Sequence, residues 1–147
     1  MLKDAQIDRV LQSQVVGRLG CCSNDRMTIV PVTYVYHDGY IYLHSKDGAK
    51  MQMMRDNPNV CFQVDEIDSM TYWRSVVIQG RYEELTTHAL QLHALELLAD
   101  RLAPFLLSET VRPVRSESAP SYSRKKSLKA VAYRIEVIEK TGRFEKA

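Results

Sequence analysis

This sequence predicts a mainly β fold, a small antiparallel barrel with flanking helices, and three observations predict it. Apolar and polar residues alternate with a period of two over much of the chain. Asp38-Gly39 falls between aromatic and β-branched runs, the strongest short-range hairpin signal present. Candidate helices are few, and neither G-x-G-x-x-G nor a P-loop occurs, which sets aside the common parallel nucleotide-binding sheets. A chain of 147 residues, 45% hydrophobic and 26% charged, suits one domain over 1–147 that needs no disulfide or metal staple.

Each element has a local reason. Ile7, Val10 and Leu11 recur at helical spacing, so residues 4–14 should form a short amphipathic helix. Val15–Cys22 and Met27–His37 read as strands around the polar turn Ser23-Asn24-Asp25-Arg26. A two-residue turn at Asp38-Gly39 sets His37 opposite Tyr40, Val35 opposite Tyr42, Thr33 opposite His44 and Val32 opposite Ser45. Pro31 cannot donate to a ladder and marks an edge or a bulge. Residues 49–56 form a short helix closed by Asn57-Pro58. Val60–Glu66 and Trp73–Glu84 are strands. Thr86 or Thr87 caps a helix running to about Ala103, with Leu95, Leu98 and Leu102 on one stripe. Residues 112–129 hold five serines, two prolines and six basic residues against one acid, the composition of a mobile loop. Ala130–Ile138 closes the chain as an alternating strand.

Composition narrows function. A net charge of +2 is too balanced for a dedicated nucleic-acid binder. No apolar run approaches the ~20 residues of a membrane span, and the start lacks a secretory h-region. Three cysteines, two of them adjacent, fit neither a disulfide framework nor a spaced zinc site, so a reducing cytoplasm is expected. Cys21 and Cys22 point to opposite faces of their strand, and Cys61 reads as core. His88 and His93 lie roughly 140° apart around a helix and cannot share a metal. The Met51–Met54 stripe reads as helix packing.

The richest stretch is His44-Ser45-Lys46-Asp47-Gly48-Ala49-Lys50. A hydroxyl, a flexible glycine and a lysine at a helix start suit a phosphate, because free N–H groups and the helix dipole favour an anion. The plain alternative is that Ser45 or Asp47 caps the helix and Lys50 is solvated. The hairpin register sets Pro31-Val32-Thr33 beside His44-Ser45, so a ladder broken at the proline borders this anion site. His44 is the candidate acid–base residue, although pocket histidines often only hydrogen-bond. The basic 112–129 loop is either solvated or a lid over an anionic ligand.

In order, Gly17-Arg18-Leu19-Gly20, Val30-Pro31-Val32-Thr33-Tyr34, Asp38-Gly39-Tyr40-Ile41-Tyr42, His44-Ser45-x-x-Gly48-x-Lys50, Asn57-Pro58-x-Val60-Cys61-Phe62, Trp73-x-Ser75-Val76-x-Ile78-x-Gly80 and Thr141-Gly142 resemble the FMN-binding split-barrel superfamily. Its nearest branch is the pyridoxamine 5′-phosphate oxidase-like proteins that include the 5-nitroimidazole-resistance proteins. The resemblance covers roughly residues 5–143. It implies a homodimer of six-stranded antiparallel split barrels with FMN at the subunit interface. Val30, Pro31, Val32 and Thr33 would then lie along the flavin ring through backbone contacts. His44, Ser45 and Lys50 would hold ribityl and phosphate, and Trp73 and Ser75 would reach in from the partner subunit. The substrate-binding Arg-Leu-x-Pro ending of true pyridoxamine 5′-phosphate oxidases is not matched. Arg101-Leu102-Ala103-Pro104 falls at a helix end instead, and the chain closes on Thr141-Gly142-Arg143-Phe144.

The expected function is a flavoprotein oxidoreductase acting on a small-molecule acceptor, with no metal, nucleic acid or membrane as partner. A dimer that only carries or senses a bound flavin or haem is the alternative, and anionic-partner binding through 112–129 is a third.

Overall fold

A computed structural model describes residues 1–109 and 130–146, so the basic 112–129 loop lies outside the described residues. The elements run α1 (Asp4–Ser13), β1 (Val16–Ser23), β2 (Arg26–Thr33), β3 (Val35–His37), β4 (Tyr40–Lys46), α2 (Ala49–Asp56), β5 (Asn59–Ser69), β6 (Tyr72–Glu84), α3 (His88–Glu109) and β7 (Ala130–Lys146). All strand pairings are antiparallel, in the order β2-β1-β5-β6-β7-β4-β3. Among the described residues no helix is long and apolar enough to cross a membrane.

The two edge strands are consecutive in sequence, with Tyr34 alone between them. The sheet therefore curls until its edges meet at one residue, yet no ladder joins them. This corrects the expected six strands to seven, because the run read as one strand over 27–37 divides at Tyr34. The division has a tertiary cause. The Tyr34 N–H donates to the Val15 carbonyl at 3.1 Å, and its hydroxyl donates to the Leu11 carbonyl at 2.6 Å. Its ring meets Phe62 edge-on, centroids 5.0 Å apart, and burial pushes the phenol pKa up. Chain entering from β2 is thus bound to the end of α1, and chain leaving it joins β4.

The β1–β2 and β3–β4 hairpins use residues that tolerate positive φ. Asp38 and Gly39 have φ of 50° and 79° and give the expected His37↔Tyr40 and Val35↔Tyr42 pairs. The turn expected to need four residues uses two, Asn24 and Asp25 at φ 52° and 63°, so Ser23 and Arg26 join the ladder. β5 and β6 run as expected or slightly longer, while β7 extends well past Ile138 because β6 pairs with it as far as Tyr72↔Lys146.

The barrel interior holds Leu19, Cys21, Ile41, Leu43, Phe62, Val64, Val76, Ile78, Tyr133 and Ile135, closed by Ile7, Val10 and Leu11 of α1 and Met51 and Met54 of α2. β4 alternates as a strand with both faces covered: Ile41 and Leu43 face inward, whereas Tyr42 packs with Val35, Ala132, Leu85, Ala94 and Leu98 under α3. Thr87 starts α3 by accepting from the Leu90 N–H at 3.2 Å. That helix passes through Pro104 to Glu109 rather than ending near Ala103. Arg101 donates to the Gln12 carbonyl at 2.8 Å, so the Arg101–Pro104 stretch fastens α3 to the end of α1.

Candidate active site in the barrel seam

The β3–β4 ladder ends at Val35↔Tyr42, so the expected Thr33↔His44 and Val32↔Ser45 pairs do not form. β2 instead follows β1, with Thr33 opposite Val16, Val32 opposite Gly17 and Pro31 opposite Arg18. Backbone groups alternate in direction along an antiparallel strand. The Tyr34 N–H faces β1, so those of Val32 and Val30 do too, and the carbonyls of Pro31 and Thr33 with the Thr33 N–H face the open side. Pro31 thus occupies the one orientation in which its missing N–H costs the ladder nothing.

The opening is a cavity of about 440 Å³ lined by Pro31, Val32, Thr33, Leu43, His44, Ser45, Lys46, Lys50 and Tyr133. Of the residues expected at the site, Pro31, Val32, Thr33, His44, Ser45 and Lys50 converge here. Val30 does not line the cavity; its side chain packs on the core. Trp73 and Ser75 stand on β6, paired with Ile67 and Asp65 of β5, and are not in this chain's cavity wall. Ser75 Oγ receives the Gln63 amide at 3.0 Å. Sequence reasoning missed Tyr133. Its alternation marked it as a strand residue, and only the Leu43↔Tyr133 pairing of β4 with β7 brings it to the wall.

The capping alternative for the 44–50 stretch does not describe what forms. The N-cap of α2 is Gly48, with no side-chain cap. Lys50 Nζ donates to Ser45 Oγ at 3.1 Å and lies 6.0 Å from the centre of the Tyr133 ring. Asp47 is held by Arg55 at 3.0 and 3.2 Å. The same guanidinium grips Glu84 at 2.8 Å and, with the Tyr82 hydroxyl, lowers that carboxyl's pKa. Arg55 thus ties Asp47 and Glu84 together beside α2, and Lys46 and Lys50 both line the cavity. Burial raises the Cys21 thiol pKa, and the Lys50 charge draws it part of the way back.

A sequence model of the family described as pyridoxamine 5′-phosphate oxidase matches residues 3–144. The chain belongs to the pyridoxamine 5′-phosphate oxidase-like family. Among solved structures, a protein of Mesorhizobium loti described as FAD-binding is 29% identical, with TM-score 0.77 over 99% of this chain and 96% of that one. A proposed 5-nitroimidazole antibiotic resistance protein of Bacteroides thetaiotaomicron, 19% identical, shares the fold at TM-score 0.72 over 97% of this chain and 84% of its own. An uncharacterized protein of Rhizobium meliloti (strain 1021) is 41% identical over 87 residues. That match spans 56% of this chain and 58% of the relative's length. The fold, mainly β with an antiparallel sheet and helices at its flanks, is shared with the Mesorhizobium loti protein.

A second cavity, about 470 Å³, is lined by Gly20, the three cysteines, Ile29, Gly80 and Ile138 among others. Cys61 faces it half-buried, within 3.9 Å of the Gln79 amide, rather than entering the core. Among the described residues no cluster of His, Cys, Asp or Glu could hold a metal.

Proposed function

We propose that this protein binds FMN in the seam cavity and acts, as a homodimer, as an FMN-dependent oxidoreductase on a small-molecule acceptor. The observation that carries the reading is the unzipped β2–β4 seam, which sets a peptide edge with exposed N–H and C=O groups against a cationic, hydroxyl-bearing end. Such a site matches a planar heterocycle with a polar rim joined to a phosphate. Ser45 and Lys50 fit the phosphate, His44 the ribityl chain, and the Pro31–Thr33 edge, with Val30 behind it, the ring. A bound flavin supplies hydride or electron transfer, and this chain's residues bind it, orient it and screen it from water. His44 either shapes the pocket or exchanges a proton with the acceptor.

Trp73 and Ser75 are assigned to the partner subunit's cavity. Support comes from the far end of β5, β6 and β7, where Ile67, Met70, Tyr72 and Phe144 are 65%, 92%, 39% and 49% exposed. Ile67 lies opposite Trp73 and Phe144 opposite Arg74, so exposed apolar side chains stand on both faces of this arm and a second chain would cover them.

FAD is the second reading, favoured by the description of the Mesorhizobium loti relative. Titrating the purified protein with FMN and with FAD, followed by visible absorbance, tests both. Binding of neither overturns the proposal. Once flavin is bound, consumption of NAD(P)H only when an acceptor is present identifies the oxidoreductase. A flavin-replete protein that reduces no acceptor is instead a carrier or sensor.

A further inference from the structure

Tyr133 is fully buried, and its hydroxyl has no hydrogen-bond partner among the described residues. Native interiors almost always pair such groups, because an unpaired buried hydroxyl has lost its water and gained nothing. Phenylalanine would fill the same volume without that cost. Tyr82, 5.4 Å away ring to ring, offers no relief, since its own hydroxyl is committed to Glu84 at 2.7 Å. Burial raises the Tyr133 phenol well above its usual pKa, so at working pH it is a proton-bearing donor.

Its surroundings say what it can donate to. Val131 pairs with Ser45 and Tyr133 with Leu43. Residues directly across a ladder share a face, and Leu43 and Tyr133 both belong to the core. Ser45, two residues from Leu43, therefore faces inward with them. Lys50 enters that face from α2, bonded to Ser45 Oγ and 6.0 Å from the Tyr133 ring centre. All three residues line the seam cavity. A hydroxyl, an ammonium and a tyrosine, from three elements lining one cavity, offer the donor types that suit an oxyanion.

We propose that Tyr133 is the third member of the phosphate site, donating its O–H to a phosphate oxygen of the bound ligand alongside Ser45 and Lys50. The proposal rests on the flavin reading given above. It explains why a tyrosine occupies a core position where its hydroxyl has no partner among the described residues.

The test is Tyr133→Phe, titrated beside the wild type with FMN and with riboflavin, which has the same ring and ribityl chain but no phosphate. FMN affinity should fall about tenfold, the scale of one hydrogen bond to a charged group. Riboflavin affinity should stay within roughly twofold on the same reasoning. The ligand-free variant should melt no lower than the wild type, since it loses only an unpaired group. Unchanged FMN affinity, an equal loss for both ligands, or a lower melting temperature in the ligand-free variant would each overturn the proposal. A wild type that takes up no FMN would instead overturn the flavin reading, and the phosphate site with it.

Discussion

Lys50→Ala removes the full positive charge closest to the inward face of the seam. In the ligand-free protein the loss is small. The Lys50–Ser45 bond spans 3.1 Å between half-buried groups, and the ammonium sits 6.0 Å from the Tyr133 ring, each worth up to about 1 kcal/mol near solvent. Alanine returns a few tenths of a kcal/mol through its helix propensity in α2. Loss of these two contacts should therefore cost no more than about 1.5 kcal/mol of stability. A bound phosphate raises the stakes, because a hydrogen bond to a charged group is worth ~1.5–3 kcal/mol. FMN affinity should fall by roughly 10- to 150-fold, while riboflavin affinity stays close to the wild-type value. Added salt should weaken FMN binding to the wild type more than to the variant, since one screened charge is gone. Isothermal titration at two ionic strengths reads both effects. Equal FMN affinity in variant and wild type would move the phosphate away from α2 and refute the placement.

Four other outcomes follow from the same geometry. His44→Ala should weaken flavin binding modestly and leave turnover per bound flavin nearly unchanged; a flavin-replete variant slowed on the order of 10²-fold would make His44 a proton-transfer residue. Tyr34→Phe strands the Leu11 carbonyl that now accepts at 2.6 Å and should cost ~1–3 kcal/mol in urea unfolding; a change below ~0.5 kcal/mol would show that this bond does not hold the seam. Arg55 and Tyr82 hold Glu84 below its ordinary carboxylate pKa, so its contribution is complete above the unfolded value near 4.5 and fades as pH falls through the lowered one. Glu84→Gln should therefore be less stable than wild type at pH 7, with the melting curves converging toward pH 3 (a gap that persists there removes the carboxylate as the cause). Light scattering at micromolar concentration should report a dimer, and Ile67→Asp with Phe144→Asp should shift it toward monomer; a wild-type monomer would leave Trp73 and Ser75 without the role assigned to them.

Local chemistry made much of this fold legible. Asp38-Gly39 carries its turn in two residues, and the first two pairs of that hairpin follow from it without tertiary information. The division at Tyr34 was not legible, because nothing between residues 27 and 37 encodes it. It arises from the carbonyls of Leu11 and Val15, some twenty residues upstream, which capture a tyrosine that the strand pattern alone would pass through. The last eight residues of β7 were missed for a related reason. Their charged residues break the apolar alternation, and the partner strand β6 supplies the order that their own sequence does not. Sequence comparison had singled out Thr141-Gly142. The structure adds a reason, since a Cβ at Gly142 would come within 2.8 Å of Leu2.

The site was reached by extending the hairpin register from Val35↔Tyr42 to Thr33↔His44, and that extension does not exist. The two segments are neighbours nevertheless. Thr33 and His44 both line the opening between the two strands. The Thr33 amide and the Pro31 and Thr33 carbonyls face the opening, and Ser45, Lys50 and Tyr133 line the same cavity. Tyr34 is thus the residue that opens a hairpin into the seam cavity. A variant in which the ladder closed by two further pairs would be the more regular sheet and would have no cavity between β2 and β4.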